Sequence, residues 1–243
     1  MNKPTIHVVV PSWDAPRANV HERLKSFRGA MASCFDRMEN QGVNVHVWNR
    51  VFEDHDNGGF ALNVDRILTQ AWPFVAAEDW ILVLNDDVEP ADRDTDWLWE
   101  LWRHRQGEDR IVCPTTDFTS APEQYAPRAM FAPPRSARFV PAIAWLMPAP
   151  LVNRVSVFYQ QRRSKGWLEV NLFHPDLGRA WGEDNLTAAV IRELTGNQLP
   201  FLVAPMSWIH HQGSVSSNLI PEEERRASLE KARQLARDYG VDL

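Results

Sequence analysis

The sequence predicts an α/β fold: a single domain built on a mixed, mainly parallel sheet flanked by helices. Short β-branched or apolar runs alternate along the chain with stretches of helical spacing, the signature of strand–helix–strand units. The composition agrees. With 243 residues, 44% hydrophobic and 24% charged, the chain can bury a sizeable core, and general disorder is excluded.

Residues 5–10 are a β-branched run closed by Pro11 and Ser12, read as a buried first strand ending in a loop. Val20, Leu24, Phe27, Met31, Phe35 and Met38 fall at helical spacing over 20–40, and Gly42 follows as a stop. Val43, Val45 and Val47 alternate with polar residues as a second strand. After a polar loop ending in Gly58 and Gly59, a helix is expected over 60–77, spaced by Val64, Ile67, Leu68, Ala71 and Val75. Residues 80–84 are apolar throughout, as in a central strand covered on both faces.

A helix over 97–105 and a short strand over 111–113 come next. Six prolines and little periodicity over 114–141 predict a long loop or short irregular strands. An apolar pattern resumes over 139–147. Helices are expected over 150–163 and 183–194, a last strand over 199–204, and an exposed amphipathic helix over 221–239. The chain reads as a first half over 1–113, a second half over 114–220 and a C-terminal helix over 221–243, all in one continuous domain.

The formal net charge of −6 argues against a surface built wholly for nucleic acid. Its distribution is uneven: residues 1–120 carry 12 basic and 20 acidic groups, 121–180 carry 8 and 3, and 181–243 carry 6 and 9. The middle segment is locally basic. Cys34 and Cys113 are too few and too far apart for a disulfide framework or a zinc site, so a reducing cytoplasm is expected. The longest apolar runs fall short of the ~20 residues that cross a bilayer, so no stable membrane insertion is expected. Eleven tryptophans leave some surplus for a ligand cleft with flat aromatic walls.

Four groups of residues could carry chemistry. Asn85, Asp86 and Asp87 follow the apolar strand, where carboxylates meet ligand in open α/β sheets and suit Mg²⁺ or Mn²⁺; the plain alternative is an acidic capping turn. Trp181, Gly182, Glu183 and Asp184 stand at a helix start, either as N-terminal caps or with a carboxylate as general base, Gly182 admitting substrate to the backbone. His210 and His211, near the last strand, are either structural or metal ligands. Gly58, Gly59 and Asn63 open a helix where a nucleotide could approach. Neither GxGxxG nor GxxxxGK[ST] is present.

In this order and spacing the four groups resemble the family 2 glycosyltransferases of GT-A (Rossmann-like) fold, over roughly residues 60–217. The resemblance implies inverting transfer from a nucleotide-diphosphate sugar, most often a UDP-sugar, with Mn²⁺ or Mg²⁺. It makes Asp87 the metal carboxylate, Asn85 the counterpart of the first Asp of DxD, and Asp86 a ribose or second-shell contact. Asp184 becomes the base, Glu183 its neighbour, and His210 or His211 the metal or diphosphate histidine. Donor contacts are expected from Pro11, Trp13, Arg50, Gly59 and Asn63, and acceptor contacts from Trp181, Arg135 and Arg138.

The sequence departs from the family where an Asp usually reads the base: Val47, Trp48, Asn49 and Arg50 stand there instead. The acceptor is either a glycan or a hydroxylated base in DNA, as in phage-type enzymes; the basic residues Arg128, Arg135, Arg138, Arg154, Arg162, Arg163, Lys165 and Arg179 favour the latter. The alternatives from other classes are a nucleotidyltransferase and a non-catalytic nucleotide-sugar binding module.

Overall fold

A computed structural model describes residues 3–14, 19–53, 55–90, 96–116, 133–162, 168–177, 182–211 and 220–243. Its centre is an eight-stranded sheet. The strands are β1 (Thr5–Trp13), β2 (Asn44–Phe52), β3 (Trp80–Leu84), β4 (Val88–Pro90), β5 (Ile111–Thr116), β6 (Arg135–Ala137), β7 (Ala144–Pro148) and β8 (Phe201–His211). They run in the order β2-β1-β3-β7-β5-β8-β4, with β6 also on β8. β1, β2, β3, β5 and β8 share one direction, while β4, β6 and β7 run against it.

Alternation along the central strands builds two cores. On β1, Ile6, Val8 and Val10 point to one face and Val9 to the other; on β3, Leu82 and Leu84 oppose Ile81 and Val83. The first face is covered by α1 (Val20–Asn40) and α3 (Trp97–Arg103), through Phe27, Met31, Met38, Trp97 and Leu101. The second is covered by α2 (Phe60–Ala71), α4 (Ala149–Gln161) and α5 (Glu183–Thr195), through Ile67, Leu68, Val152, Val155 and Leu186. Because both faces are buried, β3 is apolar at every position.

The single sheet passes through both halves read from the sequence. The last helix, α6 (Glu222–Tyr239), is less exposed than its sequence suggests: Ser228, Ala232 and Ala236 are buried. The Ser228 hydroxyl donates to the Leu177 carbonyl at 2.6 Å.

Strand ends differ from the sequence reading in instructive ways. β1 continues past Pro11 to Trp13, because its pairing with β3 ends at Val9 and only β2 flanks the remainder. The helix expected over 60–77 ends at Ala71 and tightens into a 3-10 turn at Trp72–Phe74, where Pro73 cannot donate to a longer helix. β8 runs on to His211 across an irregularity around Pro205; there the Ser207 hydroxyl donates to the Trp97 carbonyl at 2.8 Å and ties α3 to the bend. Its outer side is shared by β6 below and β4 above. Both cysteines are buried and free. Among the described residues no helix is long and apolar enough to cross a membrane.

Candidate active site

The ends of β1, β3 and β8 and the beginning of the antiparallel β7 lie along one edge of the sheet. The N-terminus of α5 reaches the same edge through a turn at residues 141–143. There the Asn85 N–H donates to the Ile143 carbonyl at 3.0 Å, and the Ala142 N–H donates to Oδ2 of Asp184 at 3.3 Å. One turn of backbone therefore holds the two acidic motifs, about a hundred residues apart in sequence, side by side.

The acidic pair differs in how its charge is met. Asp184 also accepts from the backbone and side-chain N–H groups of Asn185, at 2.8 and 3.1 Å. Those bonds favour its ionised form, although burial still raises its pKa. Oε2 of Glu183 is shut from solvent and has no hydrogen-bond partner. Burial, and then the neighbouring Asp184, push the Glu183 carboxyl up to about 8. Glu183 is therefore biased toward its protonated form, while the N–H groups that Asp184 accepts from Ala142 and Asn185 bias the remaining charge toward Asp184.

Gly182, with φ 107°, starts α5 in a conformation that side chains rarely adopt. The space where its Cβ would stand is filled by α6: Cβ of Ala232 would lie 3.0 Å away. The expected role for Gly182, admitting substrate to the backbone, is thus replaced by a packing one. Trp181 lies outside the described residues.

Asp86 is held from three sides. Nε and a terminal nitrogen of Arg23 donate to its Oδ2 at 3.0 and 2.8 Å, and the same nitrogen donates to the Trp13 carbonyl at 3.1 Å. The Ser12 hydroxyl, which accepts from Asn49 at 3.1 Å, also favours the charged form of Asp86. Burial pushes the Asp86 carboxyl above its ordinary range, Arg23 opposes that, and Asp87 adds to it. Asp86, expected to face ribose or the second shell of a metal, is anchored to the protein frame.

Asn85 and Trp13 are different: among the described residues, buried Oδ1 of Asn85 and Nε1 of Trp13 meet no hydrogen-bond partner, so both keep bonding capacity at this edge. Pro11 is buried opposite Arg50 on β2. Arg50 pairs with Asp56 at 2.9 Å and lies over the Phe52 ring at 4.7 Å. Asn49 bonds inward, to the Val10 carbonyl at 2.8 Å and to Ser12, so at the family's base-reading position it serves the sheet.

Gly59, with φ 87°, heads α2 and its N–H donates to Oδ1 of Asn57 at 3.0 Å. Asn63, expected to contact donor, is 3% exposed; its amide donates to Asn57 at 2.8 Å and accepts from the Gly58 N–H at 3.3 Å. Both ends of the amide are used in shaping the loop that carries the glycines.

The pairing of β4 with β8 sets Val88 opposite His211 and Glu89 opposite His210, which brings the histidine segment beside Asp87. The side chain of His211 lies outside the described residues; that of His210 is half-buried. Among the described residues no three His, Cys, Asp or Glu side chains converge as a complete cation cage. The oxygens of Asp87 and Asn85 match Mn²⁺ or Mg²⁺ in kind, provided a ligand's phosphate oxygens complete the shell.

The described basic residues of the middle segment do not gather here. Arg138 follows β6 at the opposite edge, where it pairs with Asp242 at 2.5 Å, and its carbonyl accepts from Arg192 in the last turn of α5. Arg154 pairs with Asp109 at 2.5 Å and bonds the Leu194 carbonyl at the far end of α5. Arg162 lies 3.4 Å over the Phe158 ring. Arg135 is exposed on β6, level with Val203. Arg128, Arg163, Lys165 and Arg179 lie outside the described residues.

Two participants had no clear sequence signal: Arg23 and the 141–143 backbone. A cation near the N-terminus of α1 runs against the helix dipole and so calls for a compensating anion, but that hint does not name Asp86.

No protein-family model matches the chain, and no curated protein matches it. Among solved structures it is similar to a Drosophila beta-1,4-galactosyltransferase 7 mutant in complex with manganese, UDP-Gal and xylobiose. That match has a TM-score of 0.46 and 13% identity, covering 88% of this chain and 73% of the other. A second similar structure is a glycosyltransferase involved in glycosylation of the major capsid of PBCV-1, with a TM-score of 0.47, 10% identity, and coverage of 93% and 99%.

Proposed function

We propose that the chain is a nucleotide-sugar-dependent glycosyltransferase of GT-A type, transferring a sugar with inversion to an acceptor hydroxyl. The observation that carries this reading is the shared 141–143 turn, which holds Asn85 of the DxD-like segment and Asp184 at one sheet edge. A donor diphosphate against the first and an acceptor hydroxyl against the second would meet at this edge.

Asp184 takes the proton of the acceptor hydroxyl as its oxygen bonds to the anomeric carbon and the bond to the diphosphate breaks. Such base catalysis contributes about 10²–10⁴-fold, with the larger share from alignment of the two substrates. Glu183, protonated at neutral pH, can donate a hydrogen bond to a sugar oxygen while adding no second charge beside the base. Mn²⁺ or Mg²⁺ would be held by Asp87 with His210 or His211 and would supply neutralisation of the departing diphosphate. Asn85, Trp13 and Gly59 are the donor contacts best supported by position.

Between acceptors, the engagement of Arg138, Arg154 and Arg162 in internal contacts favours a glycan over a DNA base. The experiment is a panel of nucleotide sugars with Mn²⁺, read as thermal stabilisation and as slow release of nucleoside diphosphate. A UDP-sugar is expected to score in both. Pyrophosphate release would indicate a nucleotidyltransferase, and stabilisation without any hydrolysis or transfer would indicate a binding module.

A further inference from the structure

We infer that Trp145 is a positioning residue for the proposed base: its indole N–H shapes the 141–143 turn that holds Asp184 beside Asn85. The inference deepens the proposed function and rests on the base role given there to Asp184. Trp145 is the second residue of β7, opposite Val83 of β3, and is fully buried. Its Nε1 donates at 3.0 Å to the carbonyls of both Val140 and Pro141. The Pro141 carbonyl also accepts from the Ile143 N–H at 2.8 Å, which closes a three-residue turn about Ala142. These bonds occupy the carbonyls that lead into the turn. The Ala142 N–H and the Ile143 carbonyl are left to meet Asp184 and Asn85.

The indole is itself held in place. It packs against Phe173 and Phe201, with ring centroids 5.8 and 5.2 Å away. Phe173 in turn packs on Phe60, which follows Gly59 at the start of α2, and its N–H donates to Asp65 of that helix at 3.3 Å. Releasing the indole bond would act first on Asp184, because Asn85 is also carried by the end of β3. The groups that bear on the charge of Asp184 are the N–H donors of Ala142 and Asn185, which favour it, and the neighbouring Glu183 carboxyl. A looser turn weakens the first of these donors, so the base would be ionised only at higher pH. A tryptophan that merely satisfies its N–H in the core would affect stability and nothing else.

Trp145→Phe, which keeps a ring and removes the N–H, tests this with two readouts. Amide hydrogen exchange followed by NMR should quicken about tenfold at Ala142 and Asn85, the worth of roughly one hydrogen bond, while the amides that pair β1 with β2 exchange as in wild type. With UDP-galactose and Mn²⁺, UDP release should fall about tenfold, donor affinity should stay within about threefold, and the acid limb of the rate should move to higher pH. Exchange that quickens evenly over the sheet, with the rate and its pH profile unchanged, overturns the inference in favour of a core residue. Should Trp145→Phe fail to fold, Phe173→Leu decides: it removes one aromatic wall of the indole and should quicken the same two amides about threefold, and unchanged exchange there overturns the inference. Asp184→Asn, run alongside, separates the two claims. UDP release at the wild-type rate in that variant fails the base role, whereas unchanged exchange at Ala142 and Asn85 in Trp145→Phe fails the positioning role.

Discussion

Gly182→Ala tests the junction on which the acidic pair stands. Two costs follow from the structure. At φ 107° a side chain forces an unfavourable backbone, worth about 1–2 kcal/mol. The new methyl carbon would also lie 3.0 Å from Cβ of Ala232 and 3.6 Å from Cα of Leu229, where comfortable carbon contacts begin near 3.5 Å. Overpacking of this kind costs about 1–3 kcal/mol. Together the expected loss is about 2–5 kcal/mol. Urea unfolding followed by tryptophan fluorescence measures it, as a shift in midpoint at constant m-value. Adding Ala232→Gly should return the steric part and leave the backbone part, apart from about 1 kcal/mol for a glycine inside α6. A loss below 1 kcal/mol, or no coupling between the two positions, would refute the claim that α6 sets the height of the α5 N-terminus.

Three further outcomes are expected. Glu183 has a raised pKa in the folded protein, so between about pH 5 and 8 the native state holds a proton that the unfolded chain has lost; stability should fall as pH rises through that window, by up to about 1.4 kcal/mol per pH unit. Glu183→Gln should flatten that dependence, and an unchanged pH profile of urea midpoints would contradict the assignment of the proton. Asp65 is fully buried and accepts the Leu172 and Phe173 N–H groups at 2.8 and 3.3 Å; Asp65→Leu leaves both unpaired and should cost at least about 1–3 kcal/mol, whereas Asp65→Asn, which keeps an acceptor, should cost less. Arg138→Ala should leave any nucleotide-sugar turnover within about twofold of wild type, since it pairs with exposed Asp242 at the opposite edge of the sheet; a large loss of turnover would restore it to the acceptor side.

The parts of the fold visible in the sequence were those dictated by local periodicity. The all-apolar run of β3 and the spacing of Phe27, Met31 and Met38 in α1 identify those elements without tertiary information. β4 and β6, three residues each, have no period of their own; they exist because β8 offers them an edge. The bend that carries β8 to His211 depends on the same pairing. In the candidate site, Glu183 and Asp184 were legible because a glycine followed by acids marks a helix start. The anchoring of Asp86 was not, since Arg23 lies 63 residues away on another element. Nor was the bond from Asn63 to Asn57, which ties an amide at the glycine-rich helix start into the loop before it.

The most direct test of the proposed function compares wild type and Asp184→Asn with a nucleotide sugar, Mn²⁺ and an acceptor, measuring nucleoside diphosphate release beside donor affinity. The account predicts that the variant binds donor within a few-fold of wild type and loses transfer by about 10²-fold or more. Transfer within a few-fold of wild type would contradict it.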